Sequence, residues 1–122
     1  MKVLIADDSP LIRDVIRRFL EKSFDNPVII ECSDGDEAVR LQRDENPDLI
    51  LMDIMMERMD GLEAIRQIKK HSPLSKIIVI SQLQEEEYKQ AALDAGALDY
   101  LNKENLTDLK SKIEKIINEQ II

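Results

Sequence analysis

The sequence predicts a three-layer α/β sandwich in which a strand followed by a helix repeats five times. Short apolar runs alternate with segments of helical period, the main runs show no polar alternation, and the connections are short. Runs without alternation are typical of parallel strands that helices cover on both faces, and right-handed crossovers join such strands. A length of 122 residues predicts one domain, residues 1–122.

The five predicted strands are short. Four of them are wholly apolar, and the fifth is a weaker run that includes an aspartate and a tyrosine. They cover residues 3–6, 28–30, 49–52, 77–80 and 97–101. We expect the four apolar runs to be buried on both faces of a parallel sheet.

Five helices are predicted, one after each strand. They cover residues 10–22, 35–44, 60–70, 84–95 and 105–119. In the first helix, the apolar face is expected to contain Leu11, Ile12, Val15, Ile16 and Phe19. Ser9 is the predicted N-cap of that helix, Gly96 is expected to end the fourth helix, and Asn105 is expected to start the fifth.

The composition excludes several classes of function. The chain has 17 Lys and Arg residues and 25 Asp and Glu residues, so its formal charge is −8. This negative charge disfavours direct binding to nucleic acid or anionic membranes. The single cysteine, Cys32, excludes a disulfide framework and a Cys-based zinc site. No apolar run exceeds four residues, so no membrane span is expected. We expect a cytoplasmic protein.

Polar side chains follow four of the five predicted strands. Asp7 and Asp8 follow the first strand, Asp53 the third, Ser81 the fourth and Lys103 the fifth. In an open parallel sheet, ligands bind beyond the carboxyl ends of the strands. These five residues are therefore expected to converge at one edge of the sheet.

This combination of side chains predicts phosphoryl transfer. Two carboxylates about 4 Å apart repel by about 1 kcal/mol in water and about 4 kcal/mol at an effective dielectric constant of about 20, so a cation is expected among them. Carboxylate ligands favour Mg²⁺, whereas Ca²⁺ requires more protein oxygens. A spare carboxylate can attack phosphorus and form an aspartyl phosphate, while a lysine and the metal neutralise the phosphoryl oxygens.

The chain resembles the receiver domain of two-component response regulators, of the chemotaxis-regulator type, from about residue 2 to residue 117. The matching stretches are LIADDSP at 4–10, PDLILMD at 47–53, MDGLE at 59–63, IS at 80–81, AGA at 95–97 and YLNK at 100–103. The resemblance implies a single receiver domain with a flavodoxin-like (βα)5 fold and a parallel sheet of order 2-1-3-4-5.

The resemblance also implies the roles of the acidic residues. Asp53 is expected to be the phosphoacceptor. Asp8, Asp53 and the backbone carbonyl of Met55 are expected to bind Mg²⁺ directly, with Asp7 holding the metal through water. A phosphohistidine on a sensor histidine kinase or phosphotransfer protein is the implied phosphoryl donor.

Three further residues complete the expected switch. Lys103 would pair with the phosphoryl group, Ser81 would move toward it, and Tyr100 would swing inward behind Ser81. The implied output is the surface of the fourth helix, fifth strand and fifth helix. It would be read by a downstream effector protein or by an output domain of a parent chain, with dimerisation on phosphorylation as a further expectation. The implied protein is a signalling switch that catalyses only its own phosphorylation and dephosphorylation.

The sequence departs from the pattern of that family at three positions. Glu57 and Glu104 stand where the family usually has proline, and Gln82 stands where it usually has a small residue. A cis peptide bond before a residue other than proline costs about 2.5–4 kcal/mol, so we predict that the Lys103–Glu104 bond is trans. None of these departures removes a charged group from the expected site.

Met55 and Leu83 lie two residues beyond Asp53 and Ser81, respectively. Apolar side chains at these positions are expected to screen a phosphoryl group from water, so we predict slow self-dephosphorylation.

Three other hypotheses remain open at this point. An aspartyl-phosphate phosphatase of the haloacid-dehalogenase type would need an aspartate at the position of Met55. A flavodoxin-like cofactor carrier would need a phosphate-binding loop where Asp7 and Asp8 would repel phosphate. A receiver-like scaffold that has lost phosphorylation is the third, and the complete five-residue set argues against it.

Overall fold

The computed structural model describes residues 1–118. Its strands are β1 (Lys2–Ala6), β2 (Val28–Cys32), β3 (Leu49–Met52), β4 (Ile77–Ser81) and β5 (Asp99–Asn102). Its helices are α1 (Pro10–Ser23), α2 (Gly35–Glu45), α3 (Gly61–His71), α4 (Glu86–Ala95), a 3₁₀ helix (Lys103–Asp108) and α5 (Leu109–Asn118). Residue 119 of the predicted fifth helix and the end of the predicted domain lie outside the described residues.

The five strands form one parallel sheet in the order β2-β1-β3-β4-β5. Val3 pairs with Leu49 and Ala6 with Met52, while Met52 in turn pairs with Val79. This register brings the carboxyl ends of β1, β3 and β4 to one edge of the sheet. The predicted α/β class, the parallel sheet and the strand order are confirmed.

Two aliphatic cores cover the two faces of the sheet. One contains Leu4, Ile50 and Ile65, with α2, α3 and α4 packed over it. The other contains Val3 and Leu51 from the opposite face, with the side chains of α1 and α5. Strands β1, β3 and β4 are buried as predicted. The same prediction was wrong for β2, whose Val28 is 54% exposed, because an edge strand has only one neighbour.

The buried face of α1 matches the predicted face in part, because Ile12, Ile16 and Phe19 pack into the core but Leu11 and Val15 do not. Leu11 is 72% exposed and Val15 is 42% exposed, whereas Ile16 and Leu20 are buried. Helical spacing alone permitted either stripe, and packing against the sheet selects the one that contains Leu20. The predicted N-cap is confirmed, because Ser9 Oγ accepts a hydrogen bond from the Ile12 N–H at 3.3 Å.

The C-terminal third also differs from the prediction in detail. Helix α4 begins at Glu86 rather than at residue 84, and Gly96 ends it with a φ of 122°. The predicted helix start at Asn105 was wrong, because a 3₁₀ helix precedes α5 and Asn105 has non-helical φ and ψ angles of −112° and 39°. Within residues 1–118, no helix combines the length and hydrophobicity that crossing a membrane requires.

Candidate phosphoacceptor site

Asp7 directly follows β1 and continues its hydrogen-bonded ladder. Its N–H donates to the carbonyl of Cys32 at 3.1 Å, and its Oδ1 accepts from the Ser9 N–H at 2.9 Å. The side chain of Arg13 donates to the Asp7 carbonyl at 2.6 Å. These bonds fix a carboxylate that is only 2% exposed, while the neighbouring Asp8 is exposed.

Asp53 lies beside Asp7 because β3 pairs with β1. The Asp53 N–H donates to the carbonyl of Ala6 at 2.9 Å. Gly61, at the start of α3, packs directly over this segment, and a Cβ atom there would lie 2.0 Å from the Asp53 carbonyl oxygen. The Gly61 N–H donates to the Ile54 carbonyl at 2.8 Å. A residue without a side chain is therefore required at position 61 for the loop after Asp53 to close.

Asp7, Asp8 and Asp53 form a compact group of carboxylates. One ligand atom from each lies within 4.8 Å of those of the other two. Lys103, the first residue of the 3₁₀ helix, reaches two members of this group. Its Nζ lies 2.8 Å from Asp7 Oδ2 and 3.2 Å from Asp53 Oδ2. The site thus brings together three negative charges and one positive charge.

Burial and mutual repulsion set the electrostatics of this group. Burial first, and then the charge of Asp7, raise the pKa of Asp53 to about 6, although Lys103 opposes the rise. Burial alone would lower the pKa of Lys103, but its hydrogen bond to Asp7 and the charges of both aspartates outweigh burial and raise it. A divalent cation would offset the remaining negative charge, and an all-oxygen donor set fits Mg²⁺.

Ser81 and Tyr100 meet at the backbone of one residue. Ser81, at the end of β4, is buried, and its Oγ accepts from the Leu83 N–H at 3.1 Å. The Tyr100 hydroxyl, from β5, donates to the Leu83 carbonyl at 2.5 Å. Both expected switch residues therefore hold the segment between β4 and α4 in place.

An open cavity of about 230 Å³ connects the predicted site residues. Asp8, Asp53, Ser81 and Lys103 all line it, and so does Met55, whose side chain is 61% exposed. Asp7 lies beneath this surface and reaches it through Lys103. Tyr100 does not line this cavity but lines a neighbouring one together with Leu83. No cis peptide bond occurs among the described residues, so the predicted trans bond at Lys103–Glu104 is confirmed.

The sequence reasoning missed the group that anchors the loop between β3 and α3. Asp34 is 7% exposed and caps α2 by accepting from the Glu37 N–H at 2.9 Å. Its other oxygen lies 3.7 Å from Nη1 of Arg58, and the Gly35 N–H donates to the Met59 carbonyl at 3.0 Å. The Asp-Gly pair at positions 34–35 signals a helix cap, but nothing local to it signals contact with a loop more than 20 residues away.

The comparisons with known proteins agree with this geometry. The family model described as response regulator receiver domain matches residues 3–114. The transcriptional regulatory protein LiaR of Bacillus subtilis (strain 168) is 44% identical over 103 residues, which are 84% of this chain and 49% of that protein. The chain spans about half the length of the curated relatives it matches.

Solved structures show the same fold. A two-component response regulator of the LuxR family from Aurantimonas sp. SI85-9A1 aligns with a TM-score of 0.91 at 30% identity, covering 97% of this chain and 85% of that chain. The response regulator domain of Thermotoga maritima CheB aligns with a TM-score of 0.85 at 30% identity, covering 100% and 97%. On the family match and these similarities, the chain belongs to the response regulator receiver domains of two-component systems.

Proposed function

We propose that this receiver domain is a phosphoacceptor switch, in which Asp53 receives a phosphoryl group from a phosphohistidine on a sensor histidine kinase or phosphotransfer protein. The observation that carries the proposal is the position of Asp53. Its carboxylate is buried, has a raised pKa and faces an open cavity beside Lys103. Desolvation and an adjacent ammonium are what a carboxylate nucleophile and its phosphoryl product require.

The carboxylate group is proposed to bind Mg²⁺. Asp8, Asp53 and the backbone carbonyl of Met55 would hold the ion directly, and Asp7 would hold it through water. The three carboxylates lie close enough to share one ion, and their oxygens are ligands that Mg²⁺ prefers. When bound, the ion would supply positive charge that stabilises the phosphoryl oxygens.

The transfer is proposed to depend on Mg²⁺ and to be catalysed by the domain itself. The ionised Asp53 carboxylate attacks phosphorus, the bond from phosphorus to the imidazole nitrogen of the donor breaks, and the electron pair returns to that nitrogen. Lys103 Nζ, which lies 3.2 Å from Asp53 Oδ2, then pairs with a phosphoryl oxygen. The chain catalyses only its own phosphorylation and the later hydrolysis, so its role is signalling rather than turnover of a separate substrate.

The proposed signal passes through Ser81 and Tyr100. The Ser81 hydroxyl moves from the Leu83 N–H to a phosphoryl oxygen, and Tyr100 turns inward into the space behind it. The contacts at Leu83 support this route, because both residues bind that one peptide segment. The surface of α4, β5 and α5 then changes and is read by a partner.

The partners are proposed from chemistry and from the length of the relatives. With a charge of −8, the domain over residues 1–122 is expected to avoid direct contact with nucleic acid or membranes and to work in the cytoplasm. Its readers would be a downstream effector protein or an output domain of a parent chain. The match to about half of a protein named a transcriptional regulator favours the second of these. Phosphorylation is also proposed to promote dimerisation.

Intact-protein mass spectrometry tests this function. Incubation with Mg²⁺ and acetyl phosphate or carbamoyl phosphate is expected to add one phosphoryl group that is stable in acid and labile in base. Asp53→Ala is expected to abolish the gain, whereas Asp94→Ala, at an exposed carboxylate on α4, is expected to keep it. If wild-type protein gains no mass, the domain is instead a scaffold that has lost phosphorylation.

A further inference from the structure

A second cavity of about 410 Å³ lies next to the phosphoacceptor site. We call it the methionine groove. Its apolar lining consists of Ile54, Met55, Met56, Leu83 and Tyr88, and its acidic lining consists of Asp8, Glu57 and Asp60. Met55 is shared with the cavity above Asp53, so the two spaces adjoin.

One wall of the groove is fixed from behind. Residues 55–60 belong to the loop between β3 and α3, which α2 holds from its outer side. The Gly35 N–H donates to the Met59 carbonyl at 3.0 Å, and Arg58 pairs with Asp34 at 3.7 Å. Because Asp34 is itself buried and caps α2, this wall is tied to the body of the domain.

The opposite wall depends on the switch residues. Leu83 is partly buried against the core, and both of its backbone groups are occupied. Ser81 Oγ accepts from its N–H at 3.1 Å, and the Tyr100 hydroxyl donates to its carbonyl at 2.5 Å. If Ser81 and Tyr100 leave these positions on phosphorylation, both bonds that set the position of Leu83 are lost.

The charge around the groove has one sign. The carboxylates of Asp8, Glu57 and Asp60 line it, and among the described residues no lysine or arginine does. The nearest cations in sequence are engaged or face elsewhere. Arg58 pairs with Asp34, and Lys89 lines the neighbouring cavity that contains Asn102. An exposed apolar surface with acidic margins is complementary to aliphatic side chains flanked by lysine or arginine.

We propose that the methionine groove binds an amphipathic, basic segment of a partner protein and that it binds this segment more tightly in the unphosphorylated state. The partner inserts aliphatic side chains between Met55 and Leu83, and its cations lie against Glu57 and Asp60. The dependence on phosphorylation rests on the proposed function, since it requires Ser81 and Tyr100 to move.

A labelled synthetic peptide tests the groove. The probe is a short amidated peptide with leucines at helical spacing and lysines elsewhere, and its binding is measured by fluorescence anisotropy. Glu57→Lys and Met55→Lys are each expected to weaken binding by about fivefold or more, since one charge contact is worth about 1 kcal/mol even in water. Asp94→Lys, beside the exposed Leu93 at the far end of α4, is the matched control and is expected to have less effect.

Two further readouts decide the location and the peptide chemistry. In methyl NMR spectra, the peptide is expected to shift the signals of Met55 and Met56 and to leave the buried Met52 unchanged. Peptides with glutamate for lysine, or serine for leucine, are expected to bind more weakly. Equal losses in the groove variants and in Asp94→Lys, or no shift at Met55 and Met56, would overturn the proposed binding surface.

The phosphorylated protein tests the dependence on the switch. After acetyl phosphate and Mg²⁺ treatment, mass spectrometry first establishes the phosphorylated fraction, and the same peptide is then titrated. Phosphorylation is expected to weaken binding by about fivefold or more, the lower range of typical coupling between sites. An unchanged affinity in protein with the added mass would overturn the dependence proposed here. Absence of the added mass would instead contradict the proposed function. Binding of the peptide to the unphosphorylated protein would then still test the groove.

Discussion

At the residue scale, folding places the Asp53 carboxylate where its ionised form is destabilised. The backbone N–H of Asp53 donates to the Ala6 carbonyl, which places residue 53 beside Asp7 at the end of β1. Burial and the charge of Asp7 penalise its ionised form, and Lys103 compensates only in part. The sequence predicted which residues converge here, but not that Lys103 would contact Asp7 more closely than Asp53.

Neutralising Asp53 is expected to stabilise the metal-free protein. The pKa of Asp53 is raised in the folded state from an ordinary value of 3.8 to about 6, so its ionisation opposes folding as the pH rises through this interval. In the presence of a chelator, Asp53→Asn should raise the melting temperature by about 3 °C or more at about pH 8. The gain should fade below about pH 4, where the carboxyl is neutral in both states. An equal gain at both pH values, or a loss at pH 8, would contradict this.

Gly61 tests the packing around the phosphoacceptor. A Cβ atom at this position would lie 2.0 Å from the Asp53 carbonyl oxygen, so the backbone must move in Gly61→Ala. Overpacking of this kind costs about 1–3 kcal/mol, and chemical denaturation should show that loss. Glu63→Ala, at an exposed position of the same helix, is the control and should change stability less. A fully stable Gly61→Ala variant would show that the loop tolerates displacement.

At the scale of elements, the loops after β3 and β4 are predicted to determine how long a phosphoryl group survives on Asp53. Met55 and Leu83 place apolar side chains on these loops beside Asp53 and Ser81. Replacing both with glutamine should shorten the lifetime of the phosphorylated form, because water is admitted to the phosphoryl group. The measurement is the decay of the added mass after the phosphodonor is removed. A double replacement of the exposed Leu11 and Val15 on α1 is the control, and equal decay rates in both double variants would refute the screening role.

Element boundaries were predictable where local chemistry decides them. Ser9 and Gly96 cap their helices as their residue types suggest. The 3₁₀ helix after β5 was not predicted, although its cap is local: the side chain of Asn102 accepts from the Glu104 N–H at 2.8 Å. The contact of Lys103 with Asp7, a residue distant in sequence, is the part that local chemistry does not reveal. The exposed edge of β2 likewise follows from the strand order rather than from its own apolar sequence.

At the scale of the whole molecule, metal binding should stabilise the fold. Mg²⁺ that binds only the folded chain adds about 2.7 kcal/mol at a concentration of 100 times its dissociation constant. Thermal unfolding should therefore shift upward with Mg²⁺, and Asp8→Asn should reduce the shift because it removes an exposed carboxylate, the proposed ligand, without disturbing the core. The control is Asp94→Asn, which should respond to Mg²⁺ as the wild type does. An identical response in Asp8→Asn and wild type would place the ion elsewhere.

Much of the site could be predicted from the sequence, because the carboxyl ends of parallel strands meet at one edge of the sheet. Asp7, Asp53 and Ser81 were predictable because each directly follows an apolar run that marks a strand. Contacts between loops from separate repeats, such as that of Asp34 with Arg58, were not predictable, since they depend on the packing of α2 against the loop after β3. The methionine groove was not predictable either, because it also forms between loops from separate repeats.

Locating the attached phosphoryl group tests the central proposal most directly. The protein is treated with acetyl phosphate and Mg²⁺, reduced with borohydride to convert the acyl phosphate into an alcohol, digested and sequenced by tandem mass spectrometry. The reduced residue is expected to be Asp53, and a chelator is expected to prevent formation of the acyl phosphate. Reduction at Asp7 or Asp8 instead, or reduction at Asp53 that is equally efficient with chelator present, would contradict this proposal.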